Sequence, residues 1–182
     1  MDKPSVFVTR RWPEIAEKEL KKYFNVTLNH GDKALSNKEL KDAFHNHDAL
    51  APTVSDNIDE NIIKSGKSGK GKIISNYGVG FSHIDLEACQ KYKIKVTNTP
   101  NVLTDATADL TILLMLMASR RSKEGEYQIN NSLWPGWSPT HLLGSELTNK
   151  TLGIVGLGRI GQAVAKRAYF GFNMKIKFFN RS

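Results

Sequence analysis

Thr151-Leu-Gly-Ile-Val-Gly-Leu-Gly-Arg-Ile-Gly161 is the stretch on which the reading of this chain turns. Its first five residues, Thr151–Val155, predict a short buried strand. Gly156, Gly158 and Gly161 follow in the spacing of a dinucleotide-binding fingerprint. Gly156 permits a tight turn from strand to helix, Gly158 lets the backbone approach a pyrophosphate, and Gly161 allows helix and strand to pack closely. The helix expected over about residues 159–170 begins at Arg159 and Ile160. It turns its free N–H groups and the positive end of its dipole toward the phosphates. Glycine-rich turns of this kind are common, so the context matters. Here a strand precedes the glycines, a helix follows, and a second strand predicted over residues 174–179 completes a βαβ unit.

The end of that second strand bears on the choice of dinucleotide. An NAD-selective site places Asp or Glu about 20 residues beyond the glycines, where it binds the ribose 2′-hydroxyl. Asn180 holds that place here, followed by Arg181 and Ser182. A carboxylate would repel a 2′-phosphate, whereas a guanidinium fork and a hydroxyl can bind one. The expectation is therefore NADP(H) over NAD(H); the alternative is that Arg181 is an ordinary loop residue.

Upstream, apolar runs alternate with amphipathic ones. Strands are predicted over residues 5–9, 25–28, 48–51, 72–75 and 94–97. Helices are predicted over residues 13–23, with Ile15, Ala16, Leu20 and Tyr23 on the inner face, and over 36–44, 59–64 and 84–92. Ser36 and Glu39 have capping-box spacing. Alternation of this kind implies an α/β fold with a mainly parallel sheet and helices on both faces. Asn98-Thr-Pro-Asn101 is a turn that divides residues 1–100 from residues 101–182. The second part opens with a long apolar helix over about residues 103–121. A second helical segment to about Asn130 and a Trp-, Pro- and Gly-rich loop precede the fingerprint. A doubly wound nucleotide-binding domain has about six strands. Two are predicted before Ser182, so the domain is expected to be incomplete at this end.

Composition narrows the class. Hydrophobic residues at 40% and charged residues at 24% are ordinary for globular domains. The single cysteine, Cys89, excludes an internal disulfide framework and fits a reducing compartment. Mid-helix, it reads as a small buried hydrophobe. No leader is apparent, and the apolar run 110–118 is far short of the ~20 residues of a membrane span. A soluble, cytoplasmic protein with no membrane partner is expected. The net charge of +8 raises the question of nucleic acid. Its lysines are scattered, however, and the cluster Lys64, Lys67, Lys70 and Lys72 reads as a solvated loop, so no nucleic-acid partner is expected.

Ser75-Asn-Tyr-Gly-Val-Gly-Phe81 ends a predicted strand, the place where open α/β sheets bind ligands. Gly78 and Gly80 would let successive N–H groups converge on an anion; a plain strand-to-helix turn is the equal alternative. Gly66-Lys-Ser68 carries the end of a phosphate-binding loop motif, but Asn61 stands where its first glycine must be. His45 and His47 read as surface, His83 as a capping or packing residue, and none of the chain's histidines as a metal ligand or catalytic acid.

Asn76–Asp85, Val96–Pro100, Leu103–Leu110 and the fingerprint together resemble, in order, the motifs of D-isomer-specific 2-hydroxyacid dehydrogenases, closest to the glyoxylate/hydroxypyruvate reductase branch. The resemblance covers essentially the whole chain. It implies a flavodoxin-like substrate domain followed by the start of a Rossmann domain, and reduction of a small 2-oxo acid to a D-2-hydroxy acid. It further implies that the Val79 and Gly80 N–H groups hold the substrate carboxylate, that the loop after Leu50 lines the substrate pocket, and that Thr104 lies near the cofactor. Gly156, Gly158, Arg159, Ile160 and Gly161 would hold the pyrophosphate, and Asn180, Arg181 and Ser182 the 2′-phosphate. The family's catalytic arginine, glutamate and histidine lie beyond the second Rossmann strand, so the resemblance implies that residues 1–182 alone are inactive. It also implies a homodimer of the full-length protein through the nucleotide-binding domain, with the helix from Leu103 and the Trp134–Trp137 loop near the interface. A non-catalytic, nucleotide-sensing regulator built on the same fold, as in the family's corepressor relatives, is the competing class. Relatives commonly carry Asp where this chain has Ser82.

Overall fold

The computed structural model describes residues 3–181 and divides into two compact units, one running to Asn101 and the other starting at Val102. In the first unit, β1 (Ser5–Val8), β2 (Asn25–Leu28), β3 (Ala49–Ala51), β4 (Ile73–Ser75) and β5 (Lys95–Thr97) form one parallel sheet in the order β2-β1-β3-β4-β5. This is the flavodoxin-like order. Alternation along the strands separates two cores. Phe7, Leu50, Ile74 and Val96 face α2 (Asn37–Asn46), α3 (Glu60–Ser68) and α4 (Leu86–Tyr92). Val6, Val8, Ala49, Ala51 and Ile73 face α1 (Glu14–Tyr23) through Leu20 and the neighbouring Trp12 and Phe24.

Side-chain caps start three of these helices. Ser36 and Glu39 make the expected capping box on α2. Asp59 accepts the Ile62 N–H at 3.0 Å on α3, and Asp85 accepts the Ala88 N–H at 2.9 Å on α4. Several strand ends and helix ends fall one or two residues inside the predicted ones, and α3 runs four residues past its expected end at Lys64, to Ser68. Cys89 is buried in α4, and that burial pushes its thiol up to about 11.

The inner face expected for α1 needs correcting. Ile15 and Tyr23 are exposed, and the buried position is Glu17, only 3% accessible. Its carboxylate accepts from Arg11 Nε at 2.7 Å, Arg11 Nη2 at 2.8 Å and the Trp12 N–H at 2.9 Å, tying the segment after β1 to α1. The Arg11 hydrogen bonds, with the Trp12 N–H, bring the Glu17 carboxyl from 4.5 down to about 2. A carboxyl whose folded pKa is depressed stabilises the fold fully above its unfolded value and loses that contribution as pH falls through the folded one. Stability of the first unit is therefore expected to fall between pH 4.5 and about 2, and Glu17→Gln to flatten that part of the profile in denaturant titrations at stepped pH. An unchanged slope in the variant would assign the acid sensitivity to other carboxylates.

The second unit contains α5 (Thr104–Ser119), α6 (Ser122–Asn130), β6 (Thr151–Val155), α7 (Arg159–Phe172) and β7 (Lys175–Phe179). β6 and β7 pair in parallel over five residues, from Thr151 with Lys175 to Val155 with Phe179. The burial expected of β6 also needs correcting. The strand alternates between exposed and half-buried residues, because a two-stranded sheet covers little of itself; Val155, Phe178 and Phe179 are all exposed. Arg167 of α7 joins α5 through Asp105 at 3.0 Å and Asp109 at 2.6 Å. No helix among the described residues is long and apolar enough to cross a membrane.

Candidate functional site

The carboxyl-terminal ends of β1, β3 and β4 carry a connected group of loops in the first unit. Asp56, buried in the loop after β3, accepts from the Thr9 hydroxyl at 2.5 Å and the Thr53 N–H at 2.8 Å, fastening that loop to the end of β1. The Tyr77 N–H donates to the Pro52 carbonyl at 2.8 Å, so the loops after β3 and β4 run side by side. Trp12 stacks on Tyr77 with ring centroids 5.0 Å apart. Leu50, the residue from which the expected substrate loop departs, is itself fully buried in the core. What remains open to a ligand is the loop it leads into, where Val54 and Ser55 are exposed.

Within Asn76–Phe81 the carbonyls of Gly78, Val79 and Gly80 are each held, whereas the consecutive N–H groups of Val79, Gly80 and Phe81 find no hydrogen-bond partner among the described residues. The Gly78 carbonyl accepts from the Thr99 N–H at 3.0 Å and from Asn76 Nδ2 at 3.2 Å. Asn98 Nδ2 donates to the Val79 carbonyl at 2.8 Å, and Asn76 Nδ2 to the Gly80 carbonyl at 2.8 Å. The Val79 and Gly80 N–H groups have no hydrogen-bond partner among the described residues, and Gly80 is exposed. Adjacent amides left free in this way are what an anion-binding nest requires. His83 stands behind the loop with Nε2 3.0 Å from Asn76 Oδ1. Burial pushes its pKa below the usual histidine range, with Asp56 opposing. Asn76 and Asp56, both buried polar residues that hold these loops, are positions that hydropathy reading passes over. Asn76 lies inside the motif quoted above, whereas Asp56 has no local signal.

In the second unit the fingerprint turn has the geometry its glycines predict. Gly156 has φ +94°, a conformation strained for any side chain. Its N–H donates to the Phe179 carbonyl at 2.8 Å. Gly158 is the N-cap of α7 and makes no side-chain cap, so the first-turn N–H groups of Arg159, Ile160 and Gly161 point off the helix end. A Cβ on Gly161 would run into the Gly156 carbonyl oxygen, whereas one on Gly158 would meet nothing. An open cradle of glycine backbone at an uncapped helix N-terminus fits a pyrophosphate. Asn180, at the tip of β7, reaches this turn by accepting the Leu157 N–H at 3.4 Å. Arg181 follows it and is exposed; Ser182 lies outside the described residues. Thr104 opens α5 and makes no hydrogen bond to the fingerprint among the described residues.

A family model described as "D-isomer specific 2-hydroxyacid dehydrogenase, catalytic domain" matches residues 6–175. The chain belongs to this family. It is 44% identical to the glyoxylate reductase of Thermococcus litoralis, over 99% of this chain and 55% of that protein. The TT0316 protein from Thermus thermophilus superposes with a TM-score of 0.90 at 43% identity, over 98% of this chain and 56% of the other. The NAD+-bound 3-phosphoglycerate dehydrogenase of Entamoeba histolytica gives 0.75 at 31% identity, over 98% of this chain and 54% of the other. The chain thus spans about half the length of the family members it matches.

Proposed function

We propose that this chain supplies the substrate-carboxylate loop and the entry half of the cofactor site of a 2-oxo acid reductase. The substrate would be of the glyoxylate or hydroxypyruvate type, the product a D-2-hydroxy acid, and the cofactor NADPH in preference to NADH. The observation that carries this reading is the pair of unpartnered N–H groups at Val79 and Gly80, which suit the carboxylate common to all 2-oxo acids. The first unit is then the substrate domain and the second the nucleotide-binding domain. Gly158 and the N–H groups of Arg159, Ile160 and Gly161 hold the pyrophosphate, with Thr104 on the cofactor side of its unit. Asn180, Arg181 and Ser182 meet the adenosine ribose, where the guanidinium takes the 2′-phosphate. The bound reduced nicotinamide supplies hydride; the residues described here bind and orient. His83 does not serve as the acid, because its Nε2 is committed to Asn76.

We place the dimer contact of the full-length protein on α5, where Leu110, Leu113, Leu114 and Met117 leave an apolar face exposed, together with the exposed Trp134 and Trp137 of the loop that follows α6. The cofactor preference is tested by titrating NADPH and NADH into the wild type and Arg181→Ala. The variant is expected to lose about tenfold or more in NADPH affinity and little for NADH. Equal losses for both would remove Arg181 from the 2′-phosphate.

A further inference from the structure

A trans peptide group points its carbonyl and its N–H in opposite directions, so whatever grips the carbonyl of one residue aims the amide of the next. The described chain has no cis peptide bond. Holding the Gly78 carbonyl therefore sets the direction of the Val79 N–H, and holding the Val79 carbonyl sets that of the Gly80 N–H. The first is held by Asn76 and the Thr99 N–H, the second by Asn98. Asn76 also takes the Gly80 carbonyl, which closes the far end of the same loop.

We propose that Asn76 and Asn98 are positioning residues for substrate binding. Their side-chain amides grip the Gly78 and Val79 carbonyls and so aim the Val79 and Gly80 N–H groups at the ligand carboxylate; the second Asn76 bond, to the Gly80 carbonyl, holds the following peptide, and His83 locks the Asn76 amide. The inference rests on the carboxylate reading given above and adds the cause of the loop's geometry. Asn76 is 2% accessible and spends its amide donors on two carbonyls, so Oδ1 must be the atom facing His83. Nε2 of His83 therefore carries the proton and donates, and Nδ1 is left without one in the neutral ring. An aspartate at position 76 would have the same shape but no donor. It would release the Gly80 carbonyl, leave the Gly78 carbonyl to the Thr99 N–H alone, and set a negative charge behind a nest meant for an anion.

The test uses the 182-residue chain with oxalate as a non-reacting carboxylate probe, followed by amide proton–nitrogen spectra. In the wild type, the Val79 and Gly80 amides are expected to shift saturably with oxalate. Asn76→Asp and Asn98→Asp are expected to weaken that binding by about tenfold or more, with spectra elsewhere unchanged. His83→Gln, whose amide can replace the Nε2 donor, should retain binding, and His83→Ala should lose it. The histidine ring signals of the wild type should show Nε2 protonated and Nδ1 bare. If the wild-type Val79 and Gly80 amides ignore oxalate, the carboxylate reading fails and this inference with it. If they respond and Asn76→Asp binds as tightly as wild type, the loop is a carboxylate site but the positioning role is wrong. Should Asn76→Asp not fold, the His83 pair and the ring tautomer decide: equal oxalate affinity in His83→Gln and His83→Ala, or a proton on Nδ1, overturns the inference.

Discussion

Gly158→Ala is expected to leave the second unit as stable as wild type while lowering its affinity for NADPH by about tenfold or more, the scale set by one lost charge-assisted contact. The backbone at Gly158 is extended, with φ −74°, so alanine adopts it without strain, and its added methyl meets no protein atom. Nothing in the protein itself therefore calls for glycine there. The requirement arises only if a phosphate comes into contact with that backbone, where a Cβ would hold it off the α7 N–H groups. Gly161→Ala should behave differently. Its methyl would overlap the Gly156 carbonyl oxygen in a turn whose first residue sits at φ +94°, and backbone there has no free direction in which to yield. That variant should lose about 1–3 kcal/mol of stability as well as cofactor affinity, as overpacked sites do. Thermal melts and NADPH titrations on both variants separate the two roles. A Gly158→Ala protein that binds NADPH as the wild type does would mean that no pyrophosphate lies over this turn.

That contrast marks what local sequence can convey. The fingerprint, the capping box at Ser36 and Glu39, and the strand–helix alternation are local signals, and each acts within a few residues of where it is written. They are enough to indicate a parallel α/β architecture and the turn geometry around Gly156. Burial is not local. Ile15 reads as an inward residue by hydropathy, yet Glu17 takes the buried place because Arg11 and Trp12, on the preceding loop, satisfy its carboxylate there. β6 reads as a buried strand because its residues are apolar, but only β7 pairs with it among the described residues. The loop proposed to hold the carboxylate falls between these cases. Its glycines are visible in sequence, whereas the grip of Asn76 and Asn98 on three carbonyls exists only once β4 and β5 have brought residues 76–81 and 98–99 together. Asp56 is further removed, since its partner Thr9 is 47 residues away.

Gly66→Ala is expected to destabilise the first unit in the wild-type background and to stabilise it, or leave it unchanged, in a Phe44→Ala background. Phe44 of α2 is fully buried, and its ring lies against the one position of α3 without a side chain. A Cβ on Gly66 would overlap three of its ring atoms. Phe44→Ala alone should cost about 3–5 kcal/mol, combining lost transfer energy with the cavity left behind. Gly66→Ala alone should cost about 1–3 kcal/mol, because the ring is wedged among Leu40, Ile62 and Ile63 and cannot retreat without disturbing them. Once the ring is gone, the methyl enters the vacated space, and the gain of about 0.5–1 kcal/mol for replacing a mid-helix glycine dominates. The sign reversal is the diagnostic, since independent sites would simply add. Hydrogen exchange of the β3 and β4 amides, measured on all four proteins, reads the effect where it matters. Leu50 and Ile74 belong to the same core cluster as Phe44, and their strands end in the loops proposed to carry the carboxylate site. If Gly66→Ala costs the same in both backgrounds, the α2–α3 contact is not what sets the stability of those strands, and the glycine is required for some reason other than the Phe44 ring.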